Sequence, residues 1–551
     1  MGGLLAMLLL GHPAGASGQS VATADTTARA VDRLLDAWRG TESPGCVVGV
    51  ARGGKTLFER GYGMADLEAG VPMRPGTIVH AASLSKQFTA TAILQLARDG
   101  KLSLDDDVHR FVPELPDYGA KITIRHLLTH TSGLRDYFET LILARGRFEE
   151  DRVTDADFQD FLRRQSKLNS PPGTEYIYSN TNYALAGLIV QRVSGQPLRE
   201  YAAARIFEPL GMSHTSFRDD FATLVPGRAE GYSRRGTGWR SSIPNYDVPG
   251  ATNLLTTVGD LLIWAKHLDH PGSRDSALVA AMSTKAVLAN GDSTEYGFGL
   301  SLVTDRGARV VEHEGRDPGF RAYLGRYVDH GLAVAILCNA PVNPVGLGHD
   351  IAAVYLDSAL RSRAPMPRPK PNALDSLESM GRAGVYFRPS TLEVVELTWR
   401  DGALYSARTG GTRLEPLDAH RYQLGDRPME LTFGARASEG YRVRFTRGDR
   451  HDIDFEWHAP VTLTRDKALA YAGRYASEQL RSTYEVIAGD STLTFRAGTS
   501  EGLVARQVFA DTFVSGQITI QFVRRRGEIV GFEISHPRAR RLEFTRVAGT
   551  R

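Results

Sequence analysis

The stretch that decides the fold is Ala81-Ala82-Ser83-Leu84-Ser85-Lys86-Gln87. It follows an extended segment and opens a helical pattern, Phe88, Ala92, Leu94 and Leu96, that runs to the stop signal Gly100. Residues three apart share a helix face, so Ser83 and Lys86 stand one above the other. A serine hydroxyl attacks only when a neighbouring base takes its proton. A lysine is such a base only when desolvation or nearby cations lower its pKa. The spacing therefore reads as a nucleophile, Ser83, with Lys86 as its partner. It also suits a helix-capping serine beside a solvated lysine, and the rest of the chain must separate the two.

Upstream, Thr26 to Trp38 predicts an amphipathic helix, and Cys46–Arg52 with Lys55–Gly61 predicts a hairpin about Gly53-Gly54. Downstream, Leu102 to Leu210 is mostly helical, and Thr257-Val258-Gly259-Asp260 caps a further helix carrying Leu261, Leu262 and Trp264. Strand-like runs return at Gly299–Val303, Ala308–Glu312, Ala322–Val328 and Leu332–Asn339, and Ala352–Leu360 reads as a closing helix. Strands at both ends with helices between them imply one α+β domain over residues 25–360: an antiparallel sheet flanked by helices, plus a helical subdomain.

The alternating prolines of Ala364 to Pro371 favour an extended spacer, so residues 361–373 read as a linker. Beyond it come short alternating strands and an internal repeat. Ala383, Gly384, Tyr386, Asp401 and Leu404 recur 89 positions later as Ala472, Gly473, Tyr475, Asp490 and Leu493. Two small antiparallel β-barrels, 374–462 and 463–551, fit this pattern.

Composition narrows the function. Lys and Arg (66) nearly balance Asp and Glu (63) without a concentrated basic stripe, which argues against nucleic-acid binding. The apolar run Leu4 to Gly11, followed by Ala14-Gly15-Ala16, reads as a secretory signal within a leader of residues 1–24, although no basic residue precedes it. No other segment is long and apolar enough to span a membrane. The expectation is a secreted or periplasmic protein of unspecified oligomeric state. Cys46 and Cys338 both lie in apolar runs, read as buried free thiols or as a single disulfide if their strands are neighbours.

Three further stretches separate the readings of Ser83. They are Tyr176-Ile177-Tyr178-Ser179-Asn180, His313-Glu314-Gly315-Arg316, and Ile122 to Leu134 with Leu127-Leu128-Thr129-His130-Thr131-Ser132-Gly133 at its centre. With Ser83-x-x-Lys86 they resemble, in order and separation, the serine β-lactamase and penicillin-binding-protein family from about Thr27 to Leu360. The resemblance is to its class C β-lactamase-related branch, which includes esterases, D-aminopeptidases and D-alanyl-D-alanine carboxypeptidases. It implies that Ser83 is acylated, that Lys86 and Tyr178 share the proton relay, and that Asn180 orients Lys86 and the substrate amide. The oxyanion hole would be the backbone N–H groups of Ser83 and Arg316. Lys86 and a protonated His313 would stabilise the Tyr178 phenolate, and Gly315 would let substrate lie along the strand edge. The family fold also makes the strands of Cys46 and Cys338 neighbours; free thiols remain the favoured expectation.

Many β-lactamases and carboxypeptidases of the family carry Lys-Thr-Gly where this chain has His313-Glu314-Gly315. The His-x-Gly form resembles the esterase and D-aminopeptidase members, and Glu314 is a candidate partner for a substrate ammonium. Those D-aminopeptidase-like members also carry two barrels, from which a loop narrows the site. The reading is an exported serine hydrolase of D-amino-acid peptides, amides or small esters, with a small-molecule or peptide substrate of possible cell-wall origin and no metal or cofactor. The alternatives are a β-lactamase or D-alanyl-D-alanine carboxypeptidase, and an acylating sensor with little turnover. Three motifs are set aside: Ser500 as a turn residue, His126 and His130 as structural, and Arg524-Arg525-Arg526 as a solvated hairpin tip.

Overall fold

A computed structural model describes residues 17–145, 151–356, 359–360, 376–407, 411–424, 429–434, 440–447 and 453–548. The apolar run at 4–11 and the proline-rich stretch 364–371 lie outside the described residues. The N-terminal half is organised by six antiparallel strands: β1 (Cys46–Arg52), β2 (Lys55–Tyr62), β3 (Ser301–Asp305), β4 (Ala308–Asp317), β5 (Phe320–Tyr327) and β6 (Leu332–Cys338). Their spatial order is β3-β4-β5-β6-β1-β2, so strands from the two ends of this domain meet at its centre. Among the described residues, no helix is long and apolar enough to cross a membrane.

β1 shows how alternation builds two cores. Val47 and Ala51 join the cluster on one face; Cys46, Val48 and Val50 join the other. The first face is covered by α2 (Ser85–Arg98) and α5 (Val258–Asp269), with α3 (Tyr137–Arg145) and α4 (Asn180–Ser194) beyond them. The second face carries α1 (Ser17–Leu34) and α6 (Pro344–Leu356). The Thr257 hydroxyl accepts the Asp260 N–H and caps α5 as its sequence predicts. Two helices depart from expectation. α1 begins at Ser17 and ends at Leu34, with only a 3-10 turn over Asp36–Trp38, and α6 starts at Pro344 rather than Ala352. Proline is favoured in a helix's first turn, where its missing N–H costs nothing.

Cys46 stands directly opposite Cys338 across the β1–β6 pair, and the two sulfurs are bonded. This corrects the free-thiol expectation: the strands are neighbours, and the register puts the two cysteines at one rung, which composition cannot show.

Beneath α6, Glu312 Oε2 accepts hydrogen bonds from Tyr323 (2.7 Å) and His349 Nε2 (2.8 Å), and Asp305 lies 3.8 Å from His349 Nδ1. Burial alone would lower the His349 pKa, but Glu312 and Asp305 outweigh it and hold the imidazole above its ordinary value. A raised folded pKa stabilises fully below the unfolded value of about 6.5 and ceases to do so as pH rises through the folded one. The His349 contribution is therefore expected to fade between pH 6 and 9, so the thermal midpoints of wild type and His349→Gln should converge as pH rises.

The C-terminal half forms two closed eight-stranded barrels, with strands from Gly384 to His458 and from Gly473 to Arg546. Their sequence repeat has a physical cause. Gly384 (φ +150°) and Gly473 (φ +142°) turn the chain from a short helix into the first strand. Two residues on, Tyr386 and Tyr475 each donate to the carbonyl four residues back, at 2.8 Å. The second barrel is fastened to the N-terminal domain. Its Tyr484 and Ser482 donate to the Leu143 and Ala144 carbonyls at the end of α3, both at 2.6 Å, and Leu143 belongs to the barrel's own core cluster. Ser500 lies in a turn between strands Thr492–Ala497 and Leu503–Phe509.

Candidate active site

Ser83 lies in a 3-10 turn, Ala82–Leu84, that leads into α2. Ala82 is buried with φ +46°, a conformation non-glycine residues adopt at a cost of about 1–3 kcal/mol and only where surroundings enforce it. Enforcement comes from Ser85, the second serine of the motif. Its hydroxyl donates to the Ala82 carbonyl (2.6 Å) and accepts the Leu254 N–H (3.0 Å). Meanwhile the Ala81 N–H donates to the Leu254 carbonyl at 2.8 Å.

α2 is buried on all sides from Ser85 to Leu96, which places Lys86 in the interior. Its Nζ lies 2.9 Å from Ser83 Oγ, 2.9 Å from Asn180 Oδ1 and 2.8 Å from the Ala251 carbonyl. Burial, aided by Arg538, lowers its pKa to about 7 against the opposing pull of Asp317 and Asp136. A lysine at about 7 is a usable base near neutrality.

Tyr178 hydrogen-bonds Ser83, and its half-buried ring lies 4.8 Å from Lys86 Nζ and 4.8 Å from the Arg538 guanidinium carbon. Burial pushes the phenol above its ordinary value, while the bond to Ser83 and the charge of Arg538 pull the other way. Tyr178 is therefore a phenol at rest. The expected protonated His313 is not found. Burial and Lys86 lower its pKa to about 3, and its ring is fixed by Tyr296 (2.9 Å at Nε2) and by donation from Nδ1 to the Glu314 carbonyl (2.6 Å). The cations facing Tyr178 are Lys86 and Arg538.

β3 pairs with β4 only from Ala308 to Glu312, so among the described residues no strand pairs with His313 to Asp317 on that side. Such an edge offers every second N–H and C=O to an added strand. Gly315 has a different reason to be glycine from the one expected. A Cβ there would sit 2.4 Å from the Ala81 carbonyl oxygen and 3.1 Å from Ala82 Cβ, so its missing side chain lets β4 press against the Ser83 turn. Gly315→Ala is expected to cost about 1–3 kcal/mol in stability and about a hundredfold in kcat through misplacement of that turn; paired thermal melts and kinetics check both.

A cleft of about 710 Å3 brings Ser83, Tyr178, Asn180, His313, Glu314 and Arg316 together, with Lys86 and Gly315 behind its wall. Glu314 and Arg316 are exposed. Three further residues escaped the sequence reading. Asp136 is buried, and its Oδ2 accepts both the Asn180 N–H (2.6 Å) and Asn180 Nδ2 (2.9 Å), aiming Asn180 Oδ1 at Lys86. Glu139, on α3 and lining the cleft, is pushed up to about 7 by burial and by Asp136. Arg538 comes from the second barrel. The motif Leu134-Arg135-Asp136-Tyr137 continues the Thr129–Gly133 stretch, and that continuity was the available signal for Asp136 and Glu139. Of the histidines set aside as structural, His126 completes a capping box with Thr123, and His130 is buried with Nδ1 accepting the Ser179 N–H.

A family model described as Beta-lactamase matches residues 28–357. Over 546 residues the chain is 29% identical to a D-aminopeptidase of Cereibacter sphaeroides, covering 95% of this chain and 99% of the relative. It is 25% identical to a D-aminopeptidase of Brucella melitensis over 524 residues, 92% of this chain and 96% of the relative. Among solved structures, the octameric penicillin-binding protein homologue from Pyrococcus abyssi aligns with a TM-score of 0.55 at 23% identity, over 79% of this chain and 100% of that one. The D-amino acid amidase from Ochrobactrum anthropi SV3 aligns at 0.52 and 25% identity, over 60% of this chain and 99% of that one. The family match spans the sheet, the Ser83 turn and the cleft built on them, so the chain belongs to the Beta-lactamase family and is a serine hydrolase.

Proposed function

We propose that this protein is an exported hydrolase that releases the N-terminal D-residue of small peptides and amides through an acyl-enzyme on Ser83. The observation that carries the reading is Glu139. It is a carboxylate in the same cleft as Ser83, Tyr178 and His313, and that histidine stays neutral and so offers no cation to a substrate carboxylate. The curated relatives named D-aminopeptidase support it. Glu139 replaces Glu314 as the partner for the substrate ammonium, because Glu314 stands exposed on β4.

In this mechanism neutral Lys86 takes the Ser83 proton as Oγ attacks the carbonyl. The Ser83 and Arg316 N–H groups hold the oxyanion, whose charge exists only in the transition state. Tyr178 gives its proton to the leaving nitrogen as the C–N bond breaks, and the Lys86 ammonium returns a proton to the phenolate. Water then attacks the ester by the reverse of these steps.

The test uses a fluorophosphonate probe, D- and L-alanine p-nitroanilide, a short nitrophenyl ester and a chromogenic cephalosporin, with Ser83→Ala as control. Labelling at Ser83 and preferential turnover of the D-anilide are expected; strong cephalosporin turnover or a labelled Ser83→Ala would overturn the reading. Glu139→Gln should raise KM for the D-anilide about tenfold, as loss of a charge-assisted hydrogen bond would, and leave KM for the amine-free ester unchanged. Because Glu139 must be ionised to hold an ammonium, KM for the anilide should also rise as pH falls below about 7. Export is supported by the Cys46–Cys338 disulfide, a bond typical of oxidising compartments. A mature N-terminus within the native periplasmic or secreted fraction is expected; an intact chain with free thiols in the cytoplasm would refute it.

A further inference from the structure

The second barrel enters the cleft by one turn, between strands Glu528–His536 and Ala539–Arg546. Its backbone is held on both sides. The Arg538 carbonyl accepts the Asp136 N–H and Asn169 Nδ2, each at 2.9 Å, and Asn169 Oδ1 accepts the Arg540 N–H at 2.8 Å. The Arg135 guanidinium donates to the Arg541 carbonyl, and Arg540 pairs with Glu175 at 3.0 Å. So fixed, the turn delivers the Arg538 guanidinium to 4.8 Å from the Tyr178 ring centre, as near as Lys86 Nζ. Its nearest carboxylate, Glu139, is 3.7 Å away, outside hydrogen-bond range.

We propose that Arg538 is a positioning residue of the proton relay: its guanidinium, clamped against Tyr178 by the docked barrel, keeps Lys86 free to accept the Ser83 proton and eases proton loss from Tyr178. The inference rests on the acyl-transfer reading above. It gives the second barrel a part in the chemical step, beyond lining the cleft.

The charges around the pair explain why one guanidinium matters. From the loop before α3 and from the end of β4, Asp136 and Asp317 favour a protonated Lys86, and Arg538 opposes them. Glu139 on α3, when ionised, offsets part of the Arg538 charge. His130 and His313 are both held neutral, by burial first and then by Lys86. Tyr183 and Tyr296, both held above the ordinary phenol value by burial, lie beside Tyr178 as uncharged phenols, and Tyr176 lines the same cleft. Removing Arg538 leaves the pull of Asp136 and Asp317 on Lys86 without the guanidinium that offsets it. Lys86 then holds its proton to higher pH, and a developing Tyr178 phenolate loses its partner.

Arg538→Gln and Arg538→Lys, made in the full chain, test this on a nitrophenyl ester that has no amine for Glu139 to bind. The backbone contacts of residue 538 persist in both variants, and unchanged thermal midpoints confirm docking. For Arg538→Gln, kcat should fall about tenfold, the scale of a desolvated cation–π contact, with KM unchanged, and the acid limb of kcat/KM should move to higher pH. Arg538→Lys should restore most of the rate and the position of the limb. An unmoved limb in Arg538→Gln, a change confined to KM, or a lysine variant no better than glutamine overturns the proposal. A wild type whose Ser83 does not label with the fluorophosphonate overturns the hydrolase reading itself; labelling with an unmoved limb overturns only the role of Arg538. Should Arg538→Gln fail to fold, the limb of Arg538→Met decides by the same criteria.

Discussion

Lys86→Ala is expected to reduce kcat/KM for the D-anilide by about four orders of magnitude, the upper range for loss of a positioned general base. The amine is the group within 2.9 Å of Ser83 Oγ whose pKa lies near working pH. Lys86→Arg should rescue nothing, because a guanidinium stays protonated and cannot take the Ser83 proton. The sign of the pH dependence follows. As pH rises through about 7 the neutral fraction of Lys86 grows, so wild-type kcat/KM should climb to a plateau just above that value. A profile with its acid limb near pH 5 would show that another group is the base. Measuring kcat/KM from pH 5 to 9 for wild type and both variants checks all three statements.

The second large effect belongs to Asp136. Asp136→Ala strips acceptors from the Asn180 N–H, the Asn180 amide and the Glu139 N–H, all in the buried wall beside Lys86. Orphaned buried donors cost about 1–3 kcal/mol each, so a loss of about 3 kcal/mol in stability is expected. Asn180 would no longer be held toward Lys86, and a misplacement of that kind lowers kcat by about a hundredfold. The charge has its own signature. Asp136 favours protonated Lys86, so its removal should move the acid limb to lower pH, opposite to the shift expected for Arg538→Gln. Asp136→Asn, which keeps the shape, separates the two: its limb should move although much of the stability returns. Urea melts and pH–rate profiles measure these effects.

What could be read from sequence follows the reach of each interaction. Ser83 and Lys86 are three residues apart, and helical geometry alone brings them together. Tyr178, Asn180 and His313 to Arg316 are distant, and only the resemblance of whole motifs assembled them. The sheet was legible because β1 and β6 are continuous apolar runs, and the barrels because Gly-x-Tyr solves the same turn twice. The charge state of His313 was not legible, since it depends on burial that no neighbour in sequence reports. Glu139 and Asp136 look like ordinary acids at a helix N-terminus until Asn180 is placed over them. Arg538 lies some 400 positions from the residues it serves, and nothing local marks it. The disulfide depended on register: the apolar runs could make Cys46 and Cys338 neighbours, but one residue of slip would have put them on opposite faces.

The order of strands in the sheet also dictates a timetable. β1 is made early, yet both its neighbours are needed to cover it, and one of them, β6, is the last strand of the domain to appear. Nearly 300 residues must be synthesised before that pairing can form, and closing so long a loop is slow relative to local helix formation. Until Leu332–Cys338 is made, β1 lacks one of its two neighbours and the six-stranded sheet cannot be completed. The Ser83 turn, pressed against β4 at Gly315, rests on that sheet.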